Sequence, residues 1–301
     1  MSEWILAAAG TPAGERAALG LALLAALLHA IFGALQKGRF DPWTSRALID
    51  AGLVVLSLPV ALFLVPWPEG RLWALLLGAV AIHFAYKVLQ ASAYERGAYT
   101  VVYPVVRGTG PLFAVIGAGL VFGERFAPAQ WLGVGLLLAG LFGLSAYNVR
   151  RLEIGRATLA PALGYAVATG LTVAVYTTWD AYGIRAAPDP FTFLAWFFLL
   201  TSLDFPVLAA TRWRRALPPL GAPALRLAAI GALIAWGSFG AVMLATRLGP
   251  VGEAAVLRET STVFAALIGW LMLGERVGPR RLSLMALIAL GAVVVEMGGR
   301  A

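Results

Sequence analysis

The sequence predicts an all-α integral membrane protein of ten transmembrane helices, arranged as a 5+5 inverted-topology repeat. Three observations carry that prediction. Of its 301 residues, 60% are hydrophobic and only 13% are charged, with a mean hydropathy of +0.84. Soluble chains carry about 25% charged residues, so this chain cannot cover itself with a polar surface, and lipid must be its solvent. The apolar residues also fall into ten runs of spanning length, and the second half of the chain matches the first at a fixed offset.

The runs follow one another with short breaks. Ala17–Leu35 ends at a Gln-Lys-Gly-Arg turn, Ala47–Val65 lies between Arg46 and Pro66, and Leu72–Tyr94 lies between Arg71 and Glu95. Tyr99–Phe122 runs from Gly97 to Gly123, and Pro128–Tyr147 stops before Arg150 and Arg151. In the second half, Pro161–Trp179 precedes Asp180, Phe191–Ala210 precedes Arg212, and Ala224–Ala245 precedes Arg247. Val251–Leu273 lies between Pro250 and Gly274, and Leu282–Met297 between Arg281 and Gly298. About 20 apolar residues suffice for a helix to cross a bilayer, and without period-2 alternation membrane strands are excluded. Small residues at four-residue spacing (Gly119 and Gly123; Gly135, Ala139 and Gly143; Gly237 and Ala241) predict close helix contacts. Met1–Glu15 carries no Lys or Arg, so no cleavable signal peptide is expected.

A shift of 151 residues aligns Arg107–Gly140 with the second half without a gap and gives eleven identical pairs. They include Arg107 with Arg258, Thr109 with Thr260, Gly123-Glu124-Arg125 with Gly274-Glu275-Arg276, and Pro128 with Pro279. Leu and Ala matches are cheap in this composition; the Gly-Glu-Arg block followed by Pro is not. Each half, residues 1–150 and 151–301, holds five runs. An odd number of crossings makes the second copy enter the membrane upside down, the architecture that places a site between two rocking halves.

The residues that carry this repeat also carry a resemblance. VYPVVRGTGPLFAVIGAGLVFGERFAPAQ in the first half and LIGWLMLGERVGPRR in the second resemble the EamA domain of the drug/metabolite transporter superfamily. That resemblance implies a ten-helix fold around a central substrate cavity, with both termini in the cytoplasm. The Leu27–Ala30 run with Lys37, and the VYPVVRGTGP stretch, are also faintly similar to members associated with phosphonate utilisation.

Three cations, Lys87, Arg107 and Arg258, fall well inside spans. Each costs about 2.5–3.5 kcal/mol at a helix centre on insertion scales, so each must face a cavity or a partner. Glu259 is the one acidic neighbour evident in the sequence; Asp50 and Asp204 read as interfacial. Net positive charge then remains, which an anionic solute would balance. Helical spacing places His83, Tyr86, Lys87, Gln90 and Tyr94 on one stripe of span three. Tyr99, Tyr103 and Arg107 share a stripe on span four, Thr169, Thr172, Tyr176 and Trp179 one on span six, and His29 and Gln36 one on span one. The expected substrate-binding set is Lys87, Arg107, Tyr86, Tyr103, Gln90, His83, Arg258, Glu259, Tyr176 and Trp179. Alternatives stay open for several: the two arginines can equally staple helices, and His83 can carry a proton or merely hold a helix contact. Pro104 and the run Gly108-Thr109-Gly110-Pro111 are expected to interrupt span four, with no duplicate in span nine.

Fourteen Lys and Arg residues lie in loops on the side opposite the termini against six on the terminal side. The positive-inside rule therefore puts both termini outside, against the orientation that the resemblance implies. With no cysteine and two histidines, no disulfide, metal centre or cofactor is expected, nor a nucleic-acid partner. No P-loop, H-E-x-x-H or G-x-S-x-G occurs. The expectation is a secondary active transporter of the bacterial inner membrane, moving a small anionic or zwitterionic metabolite (phosphonate, phosphate ester or carboxylate). Its partners would be membrane lipid and its substrate, with proton or exchange coupling left open. The alternative is an exporter of amino acids or other amphipathic metabolites; an enzyme or a passive channel is remote.

Overall fold

In the computed structural model, residues 2–35, 40–96, 99–149, 156–212, 221–273 and 278–299 are described, and among these every element is helical. A short α1 (Ser2–Ala8) precedes α2 (Pro12–Leu35), α3 (Pro42–Pro59, extended by a π-helical turn through Leu64), α4 (Arg71–Arg96), α5 (Tyr99–Phe122) and α6 (Pro128–Val149). Then come α7 (Arg156–Ala186), α8 (Pro190–Thr201), α9 (Asp204–Arg212), α10 (Ala222–Leu248), α11 (Val251–Leu257), α12 (Ser261–Leu273) and α13 (Pro279–Gly298). Among the described residues, nine segments are long and apolar enough to cross a membrane, with α8 and α9 counted as one. The expected ninth span, Val251–Leu273, is helical but broken into α11, a single 3-10 turn at Arg258–Thr260, and α12. Gln36, Lys37, Gly274, Glu275 and Arg276, and the side chains of Tyr99 and Tyr103, lie outside the described set.

Local chemistry fixes the ends of these helices. Asp41 accepts the amides of Trp43 and Thr44, both at 3.0 Å, ahead of Pro42 at the first helical position. Asp189 does the same for α8, accepting from Phe191 and Thr192, and also holds the Ser2 hydroxyl at 2.7 Å. Burial works against the Asp189 charge, but these donors outweigh it and hold the carboxyl below the ordinary carboxylate range. Its stabilisation is therefore complete at neutral pH and fades as pH falls from the ordinary carboxylate value through the lower folded one. Asp189→Ala is expected to cost about 1 kcal/mol at neutral pH, read as a lower melting temperature, and the difference should shrink in acid. Gly123 ends α5 at φ +70°, a conformation that suits glycine.

Large apolar side chains such as Val55, Phe63, Leu120 and Leu132 point outward, whereas many buried positions are alanine or glycine. Close backbone approach is what joins helices in lipid, where hydrophobic burial supplies little drive. It is most evident between α6 and α13, where a β-carbon on Gly291 would fall 2.6 Å from the Gly133 carbonyl oxygen. Gly140 and Gly143 pack against Leu284 and Ile288 of α13, while Gly135, expected in the same contact, faces open space. The other extensive pairings are α2 with α10, α5 with α7, α4 with α7, α3 with α10, α5 with α6, and α12 with α2.

The interruption expected at Pro104–Pro111 is absent, because α5 is continuous from Tyr99 to Phe122. Packing along α7 and α6 supports that helix through its prolines, and the Thr109 hydroxyl caps the Val105 carbonyl at 2.8 Å. The break falls instead in the repeat-related segment, at Arg258–Thr260.

Candidate functional site

A cavity of about 250 Å³ occupies the middle of the bundle. It runs from Arg107 and Glu259 outward to Phe40, Pro42, Arg46 and Tyr94, which lie at the end opposite the termini. A second cavity of about 260 Å³, lined by Glu15, Arg16, Glu253 and Glu296, lies peripherally at the terminal end. The central cavity gathers the predicted stripes, so it is the candidate site.

Its floor is an ion pair. Arg107 Nε lies 2.8 Å from Glu259 Oε2, and its Nη2 donates to the Arg258 carbonyl at 3.1 Å and the Ser261 hydroxyl at 2.7 Å. That carbonyl also accepts the Ser261 amide within the 3-10 turn, so the break in the second half is where the first-half arginine docks. Its walls are aromatic. His83 packs between Tyr176 at 4.6 Å, Phe197 at 5.0 Å and Phe239 at 5.6 Å, and Tyr86 meets Tyr176 edge-on at 5.0 Å. Gln90 donates to the Tyr86 hydroxyl at 2.6 Å, and Ser45, Ser202 and Ser238 add polar points.

Of the ten expected residues, His83, Tyr86, Gln90, Arg107, Tyr176 and Glu259 line this cavity. Three others are placed behind it. Arg258 reaches the Tyr176 hydroxyl at 3.4 Å. Trp179 donates to the Leu75 carbonyl at 2.8 Å and lies flat on Gly78, which joins α4 to α7. Lys87 donates to Asp50 at 3.0 Å, to the Thr201 carbonyl at 2.5 Å and to Asp204. An ammonium has three protons, so Lys87 has no donor left for a solute. The tenth, Tyr103, sits on α5 with its side chain outside the described set.

The single acidic neighbour inferred from sequence is therefore corrected. Asp50 is fully buried and Asp204 is 13% exposed, and both are bound to Lys87 and not left to water as an interfacial position would leave them. Arg46 Nε completes the cluster 2.9 Å from Asp50 Oδ1. Four buried or half-buried cations (Arg46, Lys87, Arg107, Arg258) thus face four carboxylates (Asp50, Asp180, Asp204, Glu259). The net positive charge argued from sequence is gone. The sequence did hold one clue, since Arg46 and Asp50 stand four residues apart, the spacing of a helical ion pair.

At the terminal end a polar network joins the two halves. Glu124 accepts the amides of Val251 at 2.7 Å and Gly252 at 2.9 Å, and lies 3.6 Å from Arg185. Arg185 donates to the Thr246 and Gly249 carbonyls, both at 2.8 Å, and Arg247 donates to the Ile184 carbonyl at 2.9 Å. None of these side chains lines the central cavity.

The EamA-like transporter family matches residues 16–146 and again residues 160–297. The chain belongs to this family. The family is one of transporters, and nine of the described segments of this chain are long and apolar enough to cross a membrane. A relative described as "Uncharacterized protein y4nH" of Sinorhizobium fredii (strain NBRC 101917 / NGR234) is 32% identical over 69 residues, 23% of this chain. The match spans 59% of that relative's length. A solved structure described as "Crystal structure of protein" superposes with a TM-score of 0.76 at 20% identity, over 94% of this chain and 96% of the other. At that identity the likeness is one of fold.

Proposed function

We propose that this protein is a secondary active transporter of the bacterial inner membrane that carries a small zwitterionic or amphipathic metabolite, of amino-acid type, by alternating access. The carrying observation is the central cavity: a charge-balanced Arg107–Glu259 floor beneath an aromatic wall. Such a floor offers a guanidinium to a carboxylate and a carboxylate to an ammonium, while His83, Tyr176 and Phe197 pack an apolar side chain. Strong anions such as phosphonates and phosphate esters, the leading class from sequence, fit less well once Lys87 is neutralised.

The reading rests further on ten crossings in two inverted five-helix halves, with Val251–Leu273 as the interrupted ninth. The pairing pattern supports it: exchanging the halves turns the α2–α10 contact into α4–α7, and α5–α7 into the contact of α11 and α12 with α2. Arg107 meeting the carbonyl of its own repeat counterpart, Arg258, is what a two-fold axis through the cavity produces. The cavity reaches the end opposite the termini while the Glu124–Arg185 network joins the halves at the terminal end, which fits one state of an alternating-access cycle.

A thermal-shift panel on detergent-purified protein tests the substrate class. L-phenylalanine and other zwitterions are expected to raise the melting temperature, since a ligand at 100 times its Kd adds about 2.7 kcal/mol. Arg107→Lys should remove the shift. Stabilisation by phosphonates or phosphate esters alone would restore the anion reading, and stabilisation by organic cations alone would overturn both.

A further inference from the structure

We propose that His83 and Asp180 form a proton-binding pair in the cavity wall that couples transport to proton movement, an inference that rests on the transport reading above. His83 Nε2 lies 2.7 Å from Asp180 Oδ2, with both side chains buried and only the histidine lining the cavity. The two residues stand on α4 and α7, hence on the two family-matched segments.

Three features suit this pair to proton binding. The carboxylates of Asp50, Asp204 and Glu259 are held by Lys87, Arg46 or Arg107, ammonium and guanidinium groups whose ordinary protonation lies far above neutrality. Imidazole alone among these partners gains and loses a proton near neutrality. Asp180 also has a buried oxygen, Oδ1, with no hydrogen-bond partner, as Asp204 has in Oδ2. An under-satisfied carboxylate in an apolar wall is costly, and a cationic imidazolium beside it relieves that cost. Finally, aromatic rings pack around the imidazole, Tyr176 tilted over it and Phe197 and Phe239 edge-on.

The groups around the ring are few. From α7 it faces Asp180 and Tyr176, and on its own helix Tyr86 and Lys87 are neighbours. From α3 come Arg46 and Asp50, bound to each other, from α5 Arg107, bound to Glu259, and from the 3-10 turn Arg258, which reaches the Tyr176 hydroxyl and lies close enough to act on the Asp180 charge. Helices α8 and α10 present only Phe197 and Phe239. With His83 neutral and Asp180 ionised, Nε2–H donates to Asp180 and the Nδ1 lone pair takes a proton from hydronium that enters through the cavity. The pair passes from −1 to 0, and the cavity gains one positive charge. Proton uptake and carboxylate binding then favour each other, and by linkage the effect is reciprocal.

Two measurements on the full-length protein test this. The chain has two histidines, so a His29→Asn sample assigns the ¹⁵N imidazole signals of His83 in nanodiscs. Compared across samples from about pH 5 to 8, the His83 signals should change protonation state, and Asp180→Asn should weaken proton affinity at least about tenfold, one pH unit. In proteoliposomes, Asp180→Asn should keep L-phenylalanine counterflow at uniform pH but lose accumulation driven by a pH step. A His83 held in one protonation state across that range, or unaltered pH-driven accumulation in Asp180→Asn, overturns the proposal. If L-phenylalanine is not carried at all, the substrate reading fails separately and the imidazole titration decides alone; it also decides alone if Asp180→Asn does not fold.

Discussion

Lys87→Gln is expected to destabilise the protein by about 3–5 kcal/mol, the cost of removing one partner from a buried ion pair. The substitution leaves Asp50 and Asp204 sharing a dry pocket with only Arg46 to balance them, and it strands the Thr201 carbonyl where α8 breaks into α9. The expected result is a sharply lower melting temperature in detergent and a poor yield of monodisperse protein. The double variant Lys87→Gln with Asp204→Asn should recover much of the loss, because Arg46 then suffices for Asp50 alone. A single variant that melts like the parent but no longer binds zwitterions would instead make Lys87 a substrate-binding cation.

Lys87 also shows what a single sequence reveals and what it hides. Composition and run length were enough for the membrane and the helices, because those properties are local. The offset of 151 residues identified Arg107 and Arg258 as counterparts, but not that the guanidinium of one would dock on the carbonyl of the other. Lys87 looked unpaired because its carboxylates stand 37 and 117 positions away. Asp50 and Asp204 were read as interfacial because depth was judged by distance along the run, whereas Asp204 sits at a break inside the span. Helical stripes found His83, Tyr86 and Gln90 correctly as neighbours on one face, yet a stripe is wider than a cavity. Lys87 and Trp179 belong to the same stripes and face adjoining helices. The prolines of α5 suggested a break because local propensity says so; neighbouring helices overrode it, and the irregular turn arose at Arg258–Thr260, where Arg107 can satisfy the backbone that it frees.

Glu124→Ala is expected to shift the protein towards a state open at the terminal end. The Glu124 carboxylate receives two backbone amides at the start of α11 and lies beside Arg185, tying the end of α5 to the second half. Hydrogen bonds to a charged group contribute about 1.5–3 kcal/mol each. Even a net loss of about 2 kcal/mol would change the ratio of the two states roughly 30-fold. The absence of native cysteine gives a clean readout, with a reporter at Ala235→Cys in the cavity wall. With Glu124 present, an impermeant thiol reagent should label that cysteine only from the side opposite the termini. With Glu124→Ala it should label from the terminal side as well, and Glu124→Gln, which still accepts from an amide but loses the charge, should fall between. Unchanged one-sided labelling in Glu124→Ala would mean that α6–α13 packing alone keeps the terminal end shut. Equal labelling from both sides before any substitution would mean that the bundle is a channel, and the alternating-access reading would fall with it.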